Sequence, residues 1–352
     1  MTTNYHFDYN WTLKDASFPG NKGKVFSTFA CGGGSSMGYK LAGFDVIGCN
    51  EIDPGLIEIY KNNLNPKFAF PGPIQEFKNR NDFPDELYDL DILDGSPPCS
   101  SFTLAGVRSR DWGKKKNFRE GQSEQVLDTL FFDFIELANK LQPKVVFAEN
   151  VTGILLTDAQ KYVIQIYKDL EAAGYNCQHF TLDASKMGVP QQRKRVFFIA
   201  LRNDLADQFL YQATLFEKKP LLELEFTEEP ILFSEFEEGL GPELTPSFLK
   251  WWELVKPGQY LCVNHPKGSY FNSIRINPHE CLKTITATAG AKLIHYKYPN
   301  EISEKNIIQG STFPLDYDFG KQKVKYVCGM SVPPVMVAKI ACQIYDQWLS
   351  KL

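Results

Sequence analysis

Short runs of β-branched and aromatic residues alternate with amphipathic stretches between positions 24 and 202 of the 352-residue chain. Apolar residues in 123–141 recur at three- and four-residue spacing, which is typical of a helix, and 158–173 shows the same spacing up to Gly174. Strands that alternate with helices predict βαβ units, so we expect an α/β fold with a doubly wound, mostly parallel sheet. The expected strands are 24–30, 44–50, 89–93, 144–148, 177–182 and 195–201.

The pattern changes after Arg202. From 203 to 318 the chain is rich in proline, glycine and aromatic residues, and its hydrophobic periodicity is poor. Helical order returns near the end, where Pro333 and Pro334 suit a helix start and an apolar stripe follows them. We therefore expect one domain built from 1–202 plus 319–352 and a second, smaller, irregular domain at 203–318.

Composition describes an ordinary globular protein, with 43% hydrophobic and 23% charged residues. The net charge of −4 argues mildly against nucleic acid as a partner, because phosphate binding requires Lys and Arg. Charge is unevenly distributed, however: 217–238 is acidic, whereas 108–119 and 186–195 are basic. Charge alone therefore neither supports nor excludes a nucleic-acid partner.

The eight cysteines are scattered and include no C-x-x-C pair, which argues against a zinc site, so we expect no metal. The first residues lack the basic and apolar segments of a secretion signal. No uncharged apolar run approaches the ~18 residues that a membrane span requires. Scattered thiols without a signal favour a reducing cytoplasm. We expect a cytoplasmic protein that binds no membrane and acts as a monomer.

A glycine-rich turn follows the first expected strand at Phe29–Gly34 and precedes a helix. Glycines at such a turn let the backbone approach a ligand. Glu51 closes the next strand about 20 residues on, where an acid can hydrogen-bond a ribose hydroxyl. The same features mark a dinucleotide site, and a tight turn beside a surface acid is the alternative without a ligand.

A candidate nucleophile, Cys99, lies in the segment Asp94–Thr103, directly after the strand at 89–93. Open α/β sheets bind ligands at the carboxyl ends of their strands. Pro97 and Pro98 stiffen the backbone before the thiol. Most buried cysteines are inert, but a polar, proline-fixed loop favours a reactive one.

Two further polar segments adjoin expected strands. Glu149-Asn150-Val151 ends the strand at 144–148, where a buried carboxyl suits acid–base chemistry; a capping or salt-bridged glutamate is the equal alternative. Arg193 and Arg195 precede and open the strand at 195–201. Because alternate strand residues share a face, we expect both arginines to point into one cleft, unless they form a solvated basic surface.

These four segments, in this order, resemble the cytosine-5 DNA methyltransferase family over 24–202 and 298–342. The S-P-P-C, E-N-V and Q-x-R-x-R series is the most specific part of the resemblance. The basic stretch KKKNFREGQSEQVLDTLFFDFIE is similar to the family's mobile loop and its following helix, and 308–314 and 329–334 are similar to two later motifs. The resemblance implies a class I, Rossmann-like methyltransferase fold with a target-recognition domain at 203–318.

The family's activity would be transfer of a methyl group from S-adenosylmethionine to carbon 5 of a flipped-out cytosine in a specific sequence of double-stranded DNA. The resemblance implies that the Cys99 thiolate adds to carbon 6 and makes carbon 5 nucleophilic. Glu149 would hydrogen-bond ring N3 and the exocyclic amine. Arg193 would hold Glu149 and the pyrimidine O2, assisted by Arg195. The thiolate approaches the face of the ring, so the base must leave the stack.

The same carry-over assigns the binding residues. Glu51 would bind the ribose of the cofactor and Ile52 would lie against the adenine. The cofactor set is Phe29, Cys31, Gly32, Gly34, Glu51, Ile52, Ile74, Pro98, Leu130 and Val332. The DNA set is Ser101, Arg108, Arg110, Lys114, Lys115, Lys116 and Arg119.

The chain departs from the family pattern at four positions. Cys31 stands where the family has glycine, and Ser100 where glutamine follows the catalytic cysteine. Pro73 stands where an acid meets the adenine amino group, and Met330 replaces asparagine. Because the catalytic set is intact, we expect an active enzyme with weakened cofactor binding.

Three rival functions remain open. The tRNA-methylating branch of the family carries a C-F-T tripeptide that this chain lacks. A catalytically silent DNA-binding regulator and a nicotinamide-dependent dehydrogenase are the others. The chain resembles a prokaryotic or phage modification enzyme in size. Its recognition sequence cannot be read, although Lys250, Lys256, Lys267, Arg275, Lys283 and Lys292 are candidate DNA contacts.

Overall fold

The computed structural model describes residues 7–98, 115–116, 125–126, 129–156, 159–212, 218–220 and 222–352. At 115–116, 125–126, 210–212 and 218–220 it describes the backbone only. Cys99, Ser101, Arg108, Arg110, Lys114 and Arg119 therefore lie outside the described residues, and their roles stay predictions.

The described strands are two to nine residues long. They are β1 Lys24–Thr28, β2 Asp45–Glu51, β3 Phe68–Pro71, β4 Ile92–Gly95, β5 Lys115–Lys116, β6 Gln125–Val126, β7 Val145–Val151, β8 Tyr175–Asp183, β9 Gln191–Gln192, β10 Lys194–Arg202, β11 Leu210–Gln212, β12 Lys218–Pro220, β13 Leu240–Glu243, β14 Ile274–Arg275, β15 Leu282–Lys283, β16 Leu293–Ile294 and β17 Asn300–Ile302.

The described α-helices are four to fourteen residues long. They are α1 Gly34–Ala42, α2 Pro54–Leu64, α3 Ile74–Phe77, α4 Leu130–Leu141, α5 Gln160–Ala172, α6 Asn203–Ala206, α7 Pro246–Glu253, α8 Glu304–Gly310, α9 Val324–Met330 and α10 Pro334–Gln347.

The chain forms two compact units. The first, here called the sheet unit, comprises Phe18–Leu182, Lys194–Glu225 and Ile340–Leu352. Its sheet has seven strands in the order β3-β2-β1-β4-β7-β10-β8. The pairs from β3 to β7 are parallel, and β10 runs antiparallel to β7. This confirms the predicted α/β class and the mostly parallel sheet.

The strand order reverses between β1 and β4, because β2 and β3 extend the sheet in one direction and β4 and β7 in the other. In open α/β sheets the crevice outside the carboxyl ends of two such strands is the usual ligand site. The turn at Phe29–Gly33 and the segment Ser96–Pro98 both leave the sheet there, one after each strand. The topology therefore brings two of the predicted motifs to one edge.

The core of the sheet unit packs helix side chains against buried strands. In α4, Leu130, Phe131, Phe134 and Leu137 are no more than 1% exposed and join the strand residues Val146 and Phe198 in one apolar cluster. Gly95 in β4 is required by this packing, since a Cβ there would lie 2.6 Å from the Phe134 ring. The sequence predicted this helix from 123, but it begins at Leu130.

The second unit, here called the short-strand unit, comprises Met1–Ser17, Asp183–Arg193 and Phe226–Lys339. Strands of two to four residues form its four-stranded sheet, in the order β13-β17-β16-β14. A small apolar cluster of Val255, Leu261 and Ile294 adds the rings of Phe248 and Trp252. The short strands match the poor periodicity of this region.

The boundaries of the two units differ from those expected from the sequence. The short-strand unit includes 183–193 and begins again at Phe226, whereas the sequence placed the change at 203. The difference at 183–193 has a physical reason: Gln191 hydrogen-bonds Ile285 N and Gly310 O, and β9 pairs with β15. The sequence also missed β3, a short edge strand whose residues show no clear alternation.

The helical stretch Val324–Lys351 is long enough and apolar enough, with a mean hydropathy of 1.5, to cross a membrane by composition alone. However, 83% of its most apolar window is buried within the protein, as in the core helix of a globular protein. Such a stretch is weak evidence for a membrane span.

Candidate active site

The turn after β1 adopts an uncommon backbone conformation. Phe29 and Cys31 have φ values of 50° and 49°, and Gly33 has a φ of 89°. These values lie in the left-handed region, which glycine adopts without strain and other residues rarely adopt. The turn closes through a 2.9 Å hydrogen bond from Gly33 N to Ala30 O, and α1 begins at Gly34.

Glu51, the last residue of β2, lies beside this turn. One carboxylate oxygen accepts a 2.7 Å hydrogen bond from Cys31 N and the other a 2.8 Å bond from Asp53 N. The side chain is buried, and desolvation raises the pKa of Glu51 to about 7 although both N–H bonds oppose the shift. A carboxylate offers about four acceptor sites, more than these N–H groups use, so the carboxyl suits a ligand that presents hydroxyl groups.

The remaining predicted cofactor residues differ in their burial and surroundings. Ile52 and Pro98 are half-buried, and Gly32 and Gly34 are buried. Ile74 and Leu130 belong to the apolar core of the sheet unit and are 2% and 0% exposed. Val332 is buried in the other unit.

The segment that leads to Cys99 is anchored by Asn150, whose side-chain amide donates a 3.2 Å hydrogen bond to Pro97 O. Asn150 is 4% exposed and lies on β7, which pairs directly with β4. No role was predicted for Asn150 itself. Its position between Glu149 and Val151, at the end of a buried strand, was the available signal.

Glu149 pairs with Arg195. The Arg195 Nε lies 2.8 Å from Glu149 Oε1, and the two side chains are 15% and 11% exposed. The antiparallel register explains the contact: Arg195 lies opposite Val151 and Phe197 opposite Glu149, so the two charged side chains are diagonal neighbours on one face. The pairing fixes the carboxylate's orientation at the end of β7.

Arg193 has different partners. It is 2% exposed, and its guanidinium donates 3.1 Å hydrogen bonds to Ile285 O and Gly329 O within the short-strand unit. A Cβ on Gly329 would lie 2.3 Å from Ala287 N, so glycine is required where the backbones at 329 and 287 meet. The expectation that Arg193 and Arg195 alternate along one strand is wrong, because the strand begins at Lys194.

Of the predicted DNA-contacting residues, Lys115 and Lys116 are described as the two-residue strand β5, which pairs antiparallel with Gln125–Val126. Among the candidate cations of the short-strand unit, Arg275 lies over the Trp252 ring at 4.0 Å and donates to Tyr296 O and Val255 O. Lys283 pairs with Glu280, and Lys292 with Glu301. By contrast, the side chains of Lys250, Lys256 and Lys267 are exposed.

The chain is similar in sequence and fold to known proteins. The profile of the family described as "C-5 cytosine-specific DNA methylase" matches residues 23–346. Type II methyltransferase M.DdeI of Desulfomicrobium norvegicum is 31% identical over 91% of this chain and 88% of its own length. M.NgoFVII of Neisseria gonorrhoeae is 26% identical over 92% and 87%. M.NgoPII of the same species is 34% identical over 54% of this chain, which spans about half (51%) of that relative.

Two solved structures are similar in fold. A putative DNA modification methyltransferase encoded within an Escherichia coli prophage has a TM-score of 0.67 and 18% identity, covering 92% of this chain and 98% of that one. Spodoptera frugiperda DNMT2 has a TM-score of 0.62 and 15% identity, covering 92% and 99%. At these identities the likeness shows the fold alone. With the family profile matched across most of its length, this chain belongs to the C-5 cytosine-specific DNA methylase family.

Proposed function

We propose that this chain methylates carbon 5 of cytosine in duplex DNA, with Cys99 as the nucleophile. The observation that carries the proposal is the buried Glu149–Arg195 pair, one strand away from β4, whose carboxyl end leads into Ser96-Pro97-Pro98-Cys99. Asn150, the residue after Glu149, holds the carbonyl of Pro97. A carboxylate of fixed orientation and the proline segment that precedes Cys99 in the sequence thus lie at the ends of neighbouring strands.

In the proposed reaction the Cys99 thiolate adds to carbon 6 of the ring, and carbon 5 gains the electron density needed to attack a methyl donor. Glu149 hydrogen-bonds ring N3 and the exocyclic amine and so stabilises charge that develops there. Arg195 orients Glu149. The contact of Arg193 with the O2 edge of the base stays a prediction from the resemblance, because its guanidinium already donates to Ile285 O and Gly329 O. Loss of the carbon 5 proton then expels Cys99.

The residues of the glycine turn fit an adenosyl cofactor. A buried carboxyl with spare acceptor sites, Glu51, suits the two hydroxyls of a ribose, and Ile52 offers an apolar side chain next to it. S-adenosylmethionine, when bound, supplies the methyl group. Phe29, Cys31, Gly32 and Gly34 would hold it through the backbone of the turn, and Ile74, Pro98, Leu130 and Val332 complete the proposed set.

The short-strand unit is proposed to read the DNA sequence. Its exposed Lys250, Lys256 and Lys267 are the better candidates for phosphate contacts, because Arg275, Lys283 and Lys292 already bond to groups within the unit. Ser101, Arg108, Arg110, Lys114, Lys115, Lys116 and Arg119 are proposed to contact DNA from the segment after Cys99. We further propose that the protein acts as a cytoplasmic monomer.

Methylation of duplex DNA and of tRNA should be assayed side by side with labelled S-adenosylmethionine, using Cys99→Ala as the control. Label in cytosine of duplex DNA that disappears in Cys99→Ala supports the proposal. Bisulfite sequencing of DNA from cells that express the chain would then give the target sequence. Strong incorporation of label into tRNA, with none into DNA, would contradict the proposed substrate.

A further inference from the structure

A buried chain of hydroxyl groups connects Asp94 to the helices of the sheet unit. Tyr60 OH donates a 2.8 Å hydrogen bond to Ser36 Oγ, which donates at 2.9 Å to Ser27 Oγ. Ser27 Oγ in turn donates at 2.9 Å to one carboxylate oxygen of Asp94, and Tyr39 OH lies 3.3 Å from the other. All five residues are no more than 2% exposed.

This series of hydroxyl groups, the hydroxyl chain, has a hydrogen-bond acceptor at both ends. At one end is the Asp94 carboxylate; at the other is Gly48 O, 3.4 Å from Tyr60 OH. If Asp94 is ionised, the three hydroxyls in line donate toward it. If Asp94 carries a proton, each O–H can turn the other way, and Tyr60 then donates to Gly48 O. Each of the three hydroxyls in line has an acceptor in either state, so neither state carries the free-energy cost of a buried, unsatisfied donor.

The elements joined by this chain are those that carry the proposed cofactor site. Ser36 and Tyr39 lie on α1, which begins directly after the glycine turn. Tyr60 lies on α2, which follows Glu51 and Ile52. Asp94 itself lies on β4, opposite Ser27 of β1 in the parallel register. One buried carboxyl thus connects both sides of the proposed adenosyl site to the strand that leads to Cys99.

Asp94 is placed to change its protonation state near neutrality. Desolvation raises the pKa of Asp94 to about 7, opposed by the hydrogen bonds from Ser27 and Tyr39. From β7 the charge of Glu149 raises this pKa further. The titratable groups contributed by the helices packed on Asp94 are Tyr39 of α1 and, through the serines, Tyr60 of α2; β1 contributes only the neutral Ser27 hydroxyl.

We propose that Asp94 is a positioning residue: through the hydroxyl chain it holds α1 and α2 against β4, and its protonation state sets the affinity of the glycine turn for S-adenosylmethionine. This inference rests on the proposed function. In the ionised form Ser27 and Tyr39 donate charge-assisted hydrogen bonds, which are roughly twice as strong as neutral ones. Ionisation therefore holds α1 more firmly, and cofactor affinity rises with pH as Asp94 loses its proton.

Asp94→Asn tests the positioning role, because the neutral amide resembles the protonated acid. Calorimetry should give similar dissociation constants for S-adenosylmethionine in the native chain and Asp94→Asn at pH 6. At pH 8.5 the native chain should bind about threefold to tenfold more tightly than the variant, as expected for a strengthened hydrogen bond. Titration of Glu51 contributes to both proteins and cancels in the ratio.

Tyr60→Phe tests the reversal of the chain. When Asp94 is protonated, the Ser36 hydroxyl donates to Tyr60. Tyr60→Phe removes this acceptor, so the protonated form of Asp94 is selectively destabilised. The infrared carbonyl band of the protonated Asp94 carboxyl, assigned by its absence in Asp94→Asn, should disappear at a pH about one unit lower in Tyr60→Phe. The pH profile of cofactor affinity should move with it.

Tyr175→Phe is the matched control, since its buried hydroxyl donates to Pro143 O in the same unit and lies outside the chain. An equal midpoint in Tyr60→Phe and Tyr175→Phe would overturn the hydroxyl chain. An equal ratio of affinities at pH 6 and pH 8.5 in native protein and Asp94→Asn would overturn the positioning role. Should Asp94→Asn fail to fold, the displaced affinity profile of Tyr60→Phe decides the same question. A native chain that binds no cofactor at any pH instead contradicts the proposed function.

Discussion

Two glutamates lie at or near the carboxyl ends of parallel strands in the same sheet, yet their surroundings differ. Glu51 ends β2, is 6% exposed and receives hydrogen bonds from the backbone N–H groups of Cys31 and Asp53. Glu149 lies near the end of β7, is 9% exposed and pairs with the guanidinium of Arg195. In the sequence the two look alike, because each is an acid that follows a predicted buried strand.

The difference indicates two kinds of chemistry. A carboxyl bonded only to neutral N–H groups can change its protonation state near neutrality and accept hydrogen bonds from a sugar. A carboxylate bonded to a guanidinium has its orientation fixed, as is needed to hydrogen-bond a base in a reacting geometry. The proposed cofactor side of the sheet and the proposed base side thus differ in the partner of the acid, whereas the acid itself is the same.

Exchanging each acid for its amide should separate the two sides most clearly. Glu149→Gln should lower kcat by about 10²–10⁴-fold, the range expected for loss of a group that stabilises charge or transfers a proton in the transition state. The dissociation constant of S-adenosylmethionine should stay unchanged. Steady-state kinetics on duplex DNA and calorimetry with the cofactor measure the two quantities.

Glu51→Gln provides the opposite half of the comparison. It should raise the KM for S-adenosylmethionine and leave kcat at saturating cofactor close to native. If instead Glu149→Gln weakened cofactor binding and Glu51→Gln lowered kcat, the assignment of the two sides would be reversed.

The pH dependence of folding stability should report on the buried carboxyl of Glu51. The pKa of Glu51 is raised to about 7 in the folded protein from 4.5, so the folded state binds more protons between these values. The free energy of unfolding therefore falls as pH rises from about 4.5 to about 7 and is level above it. Relative to native protein, Glu51→Gln should gain about 2–3 kcal/mol in stability between pH 5 and pH 8.

Urea titrations at a series of pH values check this expectation. Asp94→Asn should behave similarly, because desolvation raises the pKa of that carboxyl to about 7 as well. A difference between Glu51→Gln and native protein that did not vary with pH would show that the acid is already ionised at pH 5.

Removal of Arg195 should destabilise the base side. Arg195→Ala leaves the Glu149 carboxylate largely buried without its cation, and we expect a loss of about 2–3 kcal/mol in the free energy of unfolding. Arg202→Ala on the same strand is the control: its partner Asp204 is 59% exposed, so that variant should lose less than about 1 kcal/mol. Equal losses in the two variants would mean that the Glu149 pair is as well solvated as a surface pair.

The smallest effect is expected on the cofactor side. Cys31 has a φ of 49°, a conformation that strains a residue with a side chain. Cys31→Gly should relieve this strain and raise the free energy of unfolding by about 0.5–1 kcal/mol, after allowance for the greater freedom of glycine in the unfolded chain. Thermal unfolding measures the gain, and Gly33→Ala should give a loss in the same assay, since its φ is 89°.

The fold was largely predictable because hydrophobic periodicity sets the buried faces of strands and helices. The buried strands β1, β2, β7 and β10 were all expected within a few residues of their observed bounds. The edge strand β3 was missed, since its four residues carry little pattern. The association of 183–193 with the short-strand unit depends on contacts of Gln191 with residues about a hundred positions later, which local sequence cannot reveal.

The candidate site was predictable in its residues more than in their partners. Glu51 and Glu149 were both identified by their position after a strand, but the pairing of Glu149 with Arg195 follows from an antiparallel register that was not foreseen. Arg193 was grouped with Arg195 because they are two residues apart, whereas the strand begins between them. Asp94 was missed because its role depends on Ser27, Ser36, Tyr39 and Tyr60, which converge only in the folded chain.

The nucleophilic role of Cys99 is tested most directly with duplex DNA that contains 5-fluorocytosine at the target site. Fluorine cannot leave as the carbon 5 proton does, so the ring should remain bonded to the enzyme after methyl transfer. The proposed function predicts a covalent protein–DNA adduct that requires S-adenosylmethionine, survives denaturation and is absent in Cys99→Ala. An adduct of equal yield in Cys99→Ala, or none in a native chain that methylates the unmodified DNA, would contradict it.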